Sequence, residues 1–218
     1  PKNRQIFEID VTKYTDKEKY RQNLPLLHDL DYLQELPILD IPTYIFSNGQ
    51  IILLSEDKIK KYNRYKGNSY DITTSRGCPL NCTYCSDSIN KSLYGNKWTK
   101  VRIRSVEHVI SELKQAIQRK PTISFINFHD DSFSSRPLEW LEKFVLKYNQ
   151  EIKLPLMFRI IPGSVNDQKL ELLSKLNIIA IGIGLQSGSY RVLKEIYNRP
   201  IKINVFTDTI VKLNSKKI

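Results

Sequence analysis

The sequence predicts an α/β protein built around a parallel sheet. Three observations carry this expectation. From residue 69 onward, strand-like and helix-like patterns alternate four times, and alternating βα units pair their strands in parallel through right-handed crossovers. Ile178 to Leu185 is an unbroken apolar run carrying Gly182 and Gly184, the pattern of a strand in a sheet covered on both faces. After the first strand comes a cysteine cluster, Cys78, Cys82 and Cys85, where a doubly wound nucleotide-binding sheet would carry a glycine-rich phosphate loop. Four units are also too few to close an eight-stranded barrel.

Each element follows from its own pattern. Tyr70 to Ser75 is β-prone and ends at Arg76-Gly77. Ser105 to Arg119 carries a helical stripe of Val106, Val109, Ile110, Leu113, Ala116 and Ile117, and Ser105 can cap its start. Thr122 to Phe128 reads as a strand and Pro137 to Tyr148 as a helix, since proline is acceptable in a first turn. Leu154 to Ile161 reads as a strand and Asp167 to Leu176 as a helix, with Leu170, Leu172, Leu173 and Leu176 on one side. Tyr190 to Tyr197 and Val205 to Leu213 read as helices. Residues 1–65 form a lead-in without a core of its own, ahead of a main domain at 66–218. In the lead-in, the proline-broken apolar runs at 24–27 and 36–42 read as extended segments, because proline interrupts helices and ladders. Asn48-Gly49 between short apolar pieces signals a hairpin.

Bulk properties narrow the function classes. The 218 residues allow one sizeable core, and 40% hydrophobic with 26% charged residues is ordinary for a globular chain. No run approaches 18 consecutive apolar residues, so no membrane span is expected. The N-terminus lacks the apolar stretch of a signal peptide and begins without Met, which reads as a piece of a longer protein or a processed one. A net charge of +11 suits nucleic acid, an anionic membrane or a phosphorylated substrate. A solvated lysine-rich surface accounts for it equally and is the preferred reading. The densest basic stretch holds Lys91, Lys97, Lys100, Arg102 and Arg104, interleaved with Tyr94 and Trp98. Such interleaving can stack on bases, and loop packing explains it as well.

All 3 cysteines lie between positions 78 and 85. An odd number so tightly grouped argues against a disulfide framework and for a reducing compartment, the cytoplasm, with a metal or cluster site. Soft thiolates favour an iron–sulfur cluster or zinc. A structural site takes four protein ligands. A cubane on three cysteines leaves one iron open to a substrate or cofactor. A zinc site with His108 or His129 as fourth ligand is the alternative.

The segment Arg76-Gly-Cys-Pro-Leu-Asn-Cys-Thr-Tyr-Cys85 has Cys-x3-Cys-x2-Cys spacing, with aromatic Tyr84 before the third cysteine. It resembles the signature of the radical S-adenosylmethionine (SAM) enzymes, and the resemblance extends over residues 20–215. Phe128-His129-Asp130-Asp131-Ser132-Phe133, Gly182 to Ser189 and the lead-in from Asp29 to Pro37 resemble the members with an N-terminal cobalamin-binding domain; that domain would precede residue 1. The resemblance implies a partial TIM-like barrel, apparently truncated on its C-terminal side after four βα units. It implies a [4Fe–4S] cluster that cleaves SAM reductively to a 5′-deoxyadenosyl radical, with flavodoxin or ferredoxin as reductant. Cobalamin in the full-length protein would point to methylation of an unreactive carbon on a small-molecule, lipid-like or tetrapyrrole substrate. A tRNA-modifying methylthiotransferase is a second reading, but it needs a second cysteine cluster upstream and residues 1–77 contain none. A non-catalytic zinc module that binds nucleic acid is a third.

Roles follow by the same resemblance. Cys78, Cys82 and Cys85 would hold the cluster. Asp130 or Asp131 would accept hydrogen bonds from the SAM amino group, or cap a helix. Arg159 interrupts an apolar strand and needs a partner there. The SAM carboxylate fits its fork, and an ion pair with an aspartate is the alternative. Gln186 and Ser187 would line the SAM site. Gly184, with Gly182, would let backbone approach the adenosine, or serve βα packing. Tyr84 would pack near the adenine or shield the cluster.

Overall fold

The computed structural model describes residues 26–33, 44–55, 58, 68–95, 98 and 100–218. The extended segments expected at 24–25 and 36–42, and Lys97, lie outside them. In the lead-in, Tyr44–Ser47 (β1) and Gln50–Leu53 (β2) pair antiparallel across Asn48-Gly49. Both turn residues have positive φ, 51° and 78°, the backbone twist that joins two strands through two residues.

The chain continues as β3 (Ser69–Ile72), β4 (Ser75–Arg76), α1 (Ser86–Tyr94), β5 (Arg102–Ile103), α2 (Val106–Arg119), β6 (Phe125–Phe128), α3 (Leu138–Glu151), β7 (Leu156–Ile160), α4 (Asp167–Leu173), β8 (Ile178–Ile183) and α5 (Ile203–Ser215). The sheet order is β3-β6-β7-β8, and all its pairs are parallel. Strand order follows chain order, as βα repeats with one crossover hand require. Strands β4 and β5 form a small antiparallel pair. This is the four-stranded α/β array of a partial TIM-like barrel.

Alternation within each strand assigns the faces. Ile72, Ile126, Phe128, Leu156, Phe158 and Ile160 point into one core, together with Val109, Leu113, Leu141, Phe144, Leu173 and Leu213 of the helices. Phe133, stacked 4.6 Å from Phe158 and edge-on to Phe128, ties the loop after β6 into it. Ser105 caps α2 by accepting a hydrogen bond from the His108 amide at 3.1 Å. Pro137 stands at the N-cap of α3, one place before its expected first turn.

The expectation of a sheet buried on both faces fails at β8. Ile179 and Gly182 are exposed there, β8 being an edge strand, and Asp71 of β3 and Arg159 of β7 are exposed as well. The helix expected at 190–197 is a π-helical turn at Val192–Ile196, with the Tyr197 amide donating to the Val192 carbonyl. Such turns gather at functional sites.

Candidate active site

A cavity of about 380 Å³ opens beside Ile160 and Ile161 at the end of β7 and beside Ile183 and Gly184 at the end of β8. Ligands of α/β sheets collect at these carboxyl ends. Cys78, Cys82 and Cys85 all line it. The loop that carries them is tightly tied. The Cys85 amide donates to the Cys82 carbonyl at 3.0 Å, the Ser88 hydroxyl donates to the same carbonyl, and the Lys91 ammonium donates to the Leu80 carbonyl. All three thiols are free. Burial pushes the Cys78 thiol up, so taking up metal there releases a proton.

Among the described residues, no three His, Cys, Asp or Glu side chains gather closely enough to hold a single metal. The two histidines considered as a fourth zinc ligand are engaged elsewhere: His108 stands 3.0 Å from Asp31 and His129 stands 3.0 Å from Asp71.

The adjacent aspartates separate. Asp131 lines the cavity. Burial against the cavity wall, then Asp87 and Asp130, pushes its carboxyl up to about 6. Asp130 corrects the expectation, because it is 1% exposed and faces the interior. It accepts from the Thr74 amide and hydroxyl, both at 2.9 Å, and from the Ser75 hydroxyl at 2.6 Å. It also pairs with Arg136 at 2.9 Å. Its carboxylate is fully engaged holding the corner before the cysteine loop.

Arg159 lines the cavity and reaches His129 at 3.3 Å, and among the described residues no aspartate pairs with it. The glycines leave room for neighbouring side chains. A Cβ on Gly182 would stand 3.1 Å from Arg159 Cγ, and one on Gly184 would stand 2.5 Å from Gln186 Nε2 and push that amide aside. Gln186 lines the cavity from a left-handed backbone, φ 69°. Ser187 is not among the lining residues; its hydroxyl accepts from the Ser189 amide at 3.1 Å. Tyr84 lines the mouth, edge-on to Tyr197 at 4.9 Å, and burial, then Cys82, pushes its hydroxyl up to about 12.

A family model described as the radical SAM superfamily matches residues 72–218. The chain belongs to the radical SAM superfamily. An uncharacterized methyltransferase of Pyrococcus horikoshii is 29% identical over 198 residues, 88% of this chain and 38% of that protein. The cytidylyl-2-hydroxyethylphosphonate methyltransferase of Streptomyces wedmorensis is 26% identical over 134 residues, 60% of this chain and 23% of that protein. The chain thus spans well under half of either relative. Among solved structures, the radical SAM methyltransferase TsrM of Kitasatospora setae, with tryptophan and a SAM analogue bound, matches with a TM-score of 0.56 at 14% identity, covering 74% of this chain and 30% of that one. The cobalamin-dependent SAM radical enzyme OxsB, with aqua-cobalamin bound, matches with a TM-score of 0.56 at 18% identity, covering 78% of this chain and 27% of that one.

Two residues of this cavity escaped the sequence reading. Asp87 is buried, lines the cavity, and has an Oδ2 with no hydrogen-bond partner. It stands in the first turn of α1, where acids are ordinary, and that helix shows no period in the sequence. Arg199 is 8% exposed, lies 3.7 Å from Cys82 Sγ and donates to the Gly184 carbonyl at 3.2 Å. It belongs to a strap at 196–199 across the cysteine loop. There the Thr83 backbone amide donates to the Tyr197 carbonyl, the Thr83 hydroxyl to the Ile196 carbonyl, and the Asn198 side-chain Nδ2 to the Asn81 carbonyl. An arginine before Pro200 carries no sequence signal of this.

The basic stretch is largely absorbed by the fold. Arg104 is buried against Glu112, Arg102 stacks on Trp98 at 4.6 Å, and Lys91 binds Leu80. No helix among the described residues is long and apolar enough to cross a membrane.

Proposed function

We propose that this chain is the core of a radical SAM enzyme. Cys78, Cys82 and Cys85 hold a [4Fe–4S] cluster, SAM occupies the adjoining cavity, and the reaction modifies an unreactive carbon. The observation that carries this reading is three free thiols on one cavity whose walls also present Asp131, Asp87, Arg159 and Arg199. The acids suit the ammonium of SAM, and Arg159 suits its carboxylate. Gln186 and Tyr84 border the space left for the adenosine. When bound, the cluster supplies the electron that cleaves SAM. The chain's own residues position the two and exclude water. Methyl transfer with cobalamin is the favoured reaction, supported by two curated relatives that are methyltransferases and by the fold shared with TsrM and OxsB. A flavodoxin or ferredoxin would supply the electron.

The test is electron paramagnetic resonance (EPR) on anaerobically reconstituted, dithionite-reduced protein. A [4Fe–4S] signal that changes shape on adding SAM supports the proposal. Stoichiometric zinc with no cluster signal sinks it.

Two variants probe the cavity. Hydrogen bonds and positive charge at cluster sulfurs stabilise the reduced state. Arg199→Met therefore shifts the cluster midpoint potential more negative, read by EPR-monitored redox titration, and Arg199→Lys shifts it less.

Asp131 offers an ammonium a charged acceptor only when ionised. SAM affinity is therefore expected to hold above neutral pH and to fall as pH drops through about 6. The folded-state pKa is raised above the unfolded value, so the ionised carboxylate destabilises the fold above about pH 6, and that penalty fades as pH falls. Asp131→Asn at pH 8 should raise stability by less than about 1 kcal/mol, because Asp131 keeps part of its surface in solvent, which screens the penalty. It should weaken SAM binding and flatten that pH profile. Calorimetric titration and thermal melts check both.

A further inference from the structure

The strap at 196–199 and the cysteine loop beneath it share a patch of exposed surface. Ile196 is 50% exposed and Tyr84, on the loop, is 49% exposed. Direct contacts join them: the Ile196 carbonyl accepts from the Thr83 hydroxyl, and Tyr197 stands edge-on to Tyr84. Asn198 and Asn81, bonded to one another, are exposed beside them. Apolar side chains left in water within a polar rim mark surfaces that other proteins touch.

The charge around the patch has one sign. Between residues 189 and 204 the chain carries Arg191, Lys194, Arg199 and Lys202 against a single acid, Glu195. Arg191 stands 3.7 Å from Glu195, and Arg199 is buried. Lys194 and Lys202 are exposed, and among the described residues no acid pairs with either. On the loop side, Asp87 is the one acid between positions 76 and 91, and it is buried on the cavity wall.

The patch also covers a ligand-bearing loop closely. Thr83 follows Cys82, and its backbone amide donates to the Tyr197 carbonyl at 3.0 Å. Cys82 is 4% exposed, so one hydrogen-bonded layer separates this thiol from the strap. The cavity is the place of SAM and substrate, and a donor as large as a protein must meet the loop from outside it.

We propose that the patch around Ile196 and Tyr84 is the electron-entry surface, and that its partner is a small acidic protein carrying a one-electron centre. The inference rests on reading the loop as the cluster's, and it adds where the reductant docks. One electron leaves the carrier and is taken up at the cysteine-held cluster; no bond is made or broken. Redox encounters are small and short-lived, and steering charges set their rate. Two lysines beside a few apolar groups fit that class. An RNA needs a run of cations for its phosphates, which two lysines do not supply.

The test is an NMR titration of isotope-labelled flavodoxin, an acidic one-electron carrier, with the anaerobically reconstituted protein. A ferredoxin titration and stopped-flow reduction of the cluster by reduced flavodoxin accompany it. The double variant Lys194→Glu with Lys202→Glu is expected to weaken carrier binding roughly tenfold and to slow carrier-driven reduction by a similar factor. Ile196→Asp should act in the same direction. Reduction by dithionite and the SAM-induced change in the EPR signal should persist in both. A matched reversal on α2 and α3, Lys114→Glu with Lys143→Glu, should leave binding close to wild type. Binding of neither carrier, unaltered binding in the Lys194–Lys202 variant, or an equal loss in the matched reversal each overturns the proposal. So does a poly(U) oligonucleotide that binds more tightly than either carrier and is lost in the same variant. If Ile196→Asp unfolds the chain, the two lysines decide. A wild-type protein whose EPR signal ignores SAM sinks the cofactor reading instead, and the NMR titration, which needs no SAM, still decides this one.

Discussion

Replacing any one of Cys78, Cys82 or Cys85 by serine is expected to abolish both the SAM-dependent EPR change and SAM cleavage. Three ligands on a four-iron cube leave one iron open, and a hydroxyl is a poor substitute for a soft thiolate. The loss should exceed the roughly 10–100-fold that outer-shell changes at metal sites bring. Stability separates the three. Cys78 and Cys85 are half-buried and free, so their serine variants should melt close to wild type. Cys82 is 4% exposed and lies against Arg199, so Cys82→Ser should also lower the melting temperature. Iron content, EPR and thermal melts on each variant check this. Retained cleavage in any of them removes that cysteine from the ligand set.

Arg136→Met is expected to destabilise the fold by roughly 3–5 kcal/mol, the range for breaking one side of a buried ion pair. Arg136 is fully buried and bonded to Asp130, the Phe133 carbonyl and the Thr74 hydroxyl. Its guanidinium lies 4.2 Å from the Phe133 ring. Removing it strands the Asp130 carboxylate in the interior. Methionine keeps much of the packing, so the loss reports the stranded charge. The double variant Arg136→Met with Asp130→Asn should recover part of it. Denaturant titrations of the wild type, both singles and the double resolve the coupling. A single variant within about 1 kcal/mol of wild type would show that water reaches Asp130 and the pair is not needed.

The sequence was legible where one residue type or one period dominates. The stripe of α2 with its Ser105 cap, the Asn48-Gly49 hairpin and the cysteine spacing each rest on local chemistry that tertiary contacts do not overturn. Helix α1 was not read, because Ser-Asp-Ser-Ile-Asn-Lys-Ser-Leu-Tyr has too little apolar content to show a period. Asp130 and Asp131 could not be told apart, since consecutive residues leaving a strand end face opposite ways and only the structure shows which way the core lies. Arg159 was legible as a charge inside an apolar strand. Arg199 and Asp87 were not, because their burial depends on segments that meet only in the folded chain. The edge exposure of β8 also depended on strand order, which an apolar run does not reveal.

The strap across the cysteine loop has a consequence in time. Thr83, Asn81 and Cys82 are held by groups at 196–199, sequence separations of 113 to 117 residues. During synthesis the three thiols emerge well before the segment that shapes their loop. Long-range closures of this kind form late, and chains acquire structure from the N-terminal side as they emerge. The nascent protein therefore passes through a stage with its thiols exposed and their loop unshaped. Metal delivered at that stage meets a flexible peptide, and metal delivered after the strap closes meets a formed pocket. Loading the correct iron body is thus a matter of timing as much as of affinity.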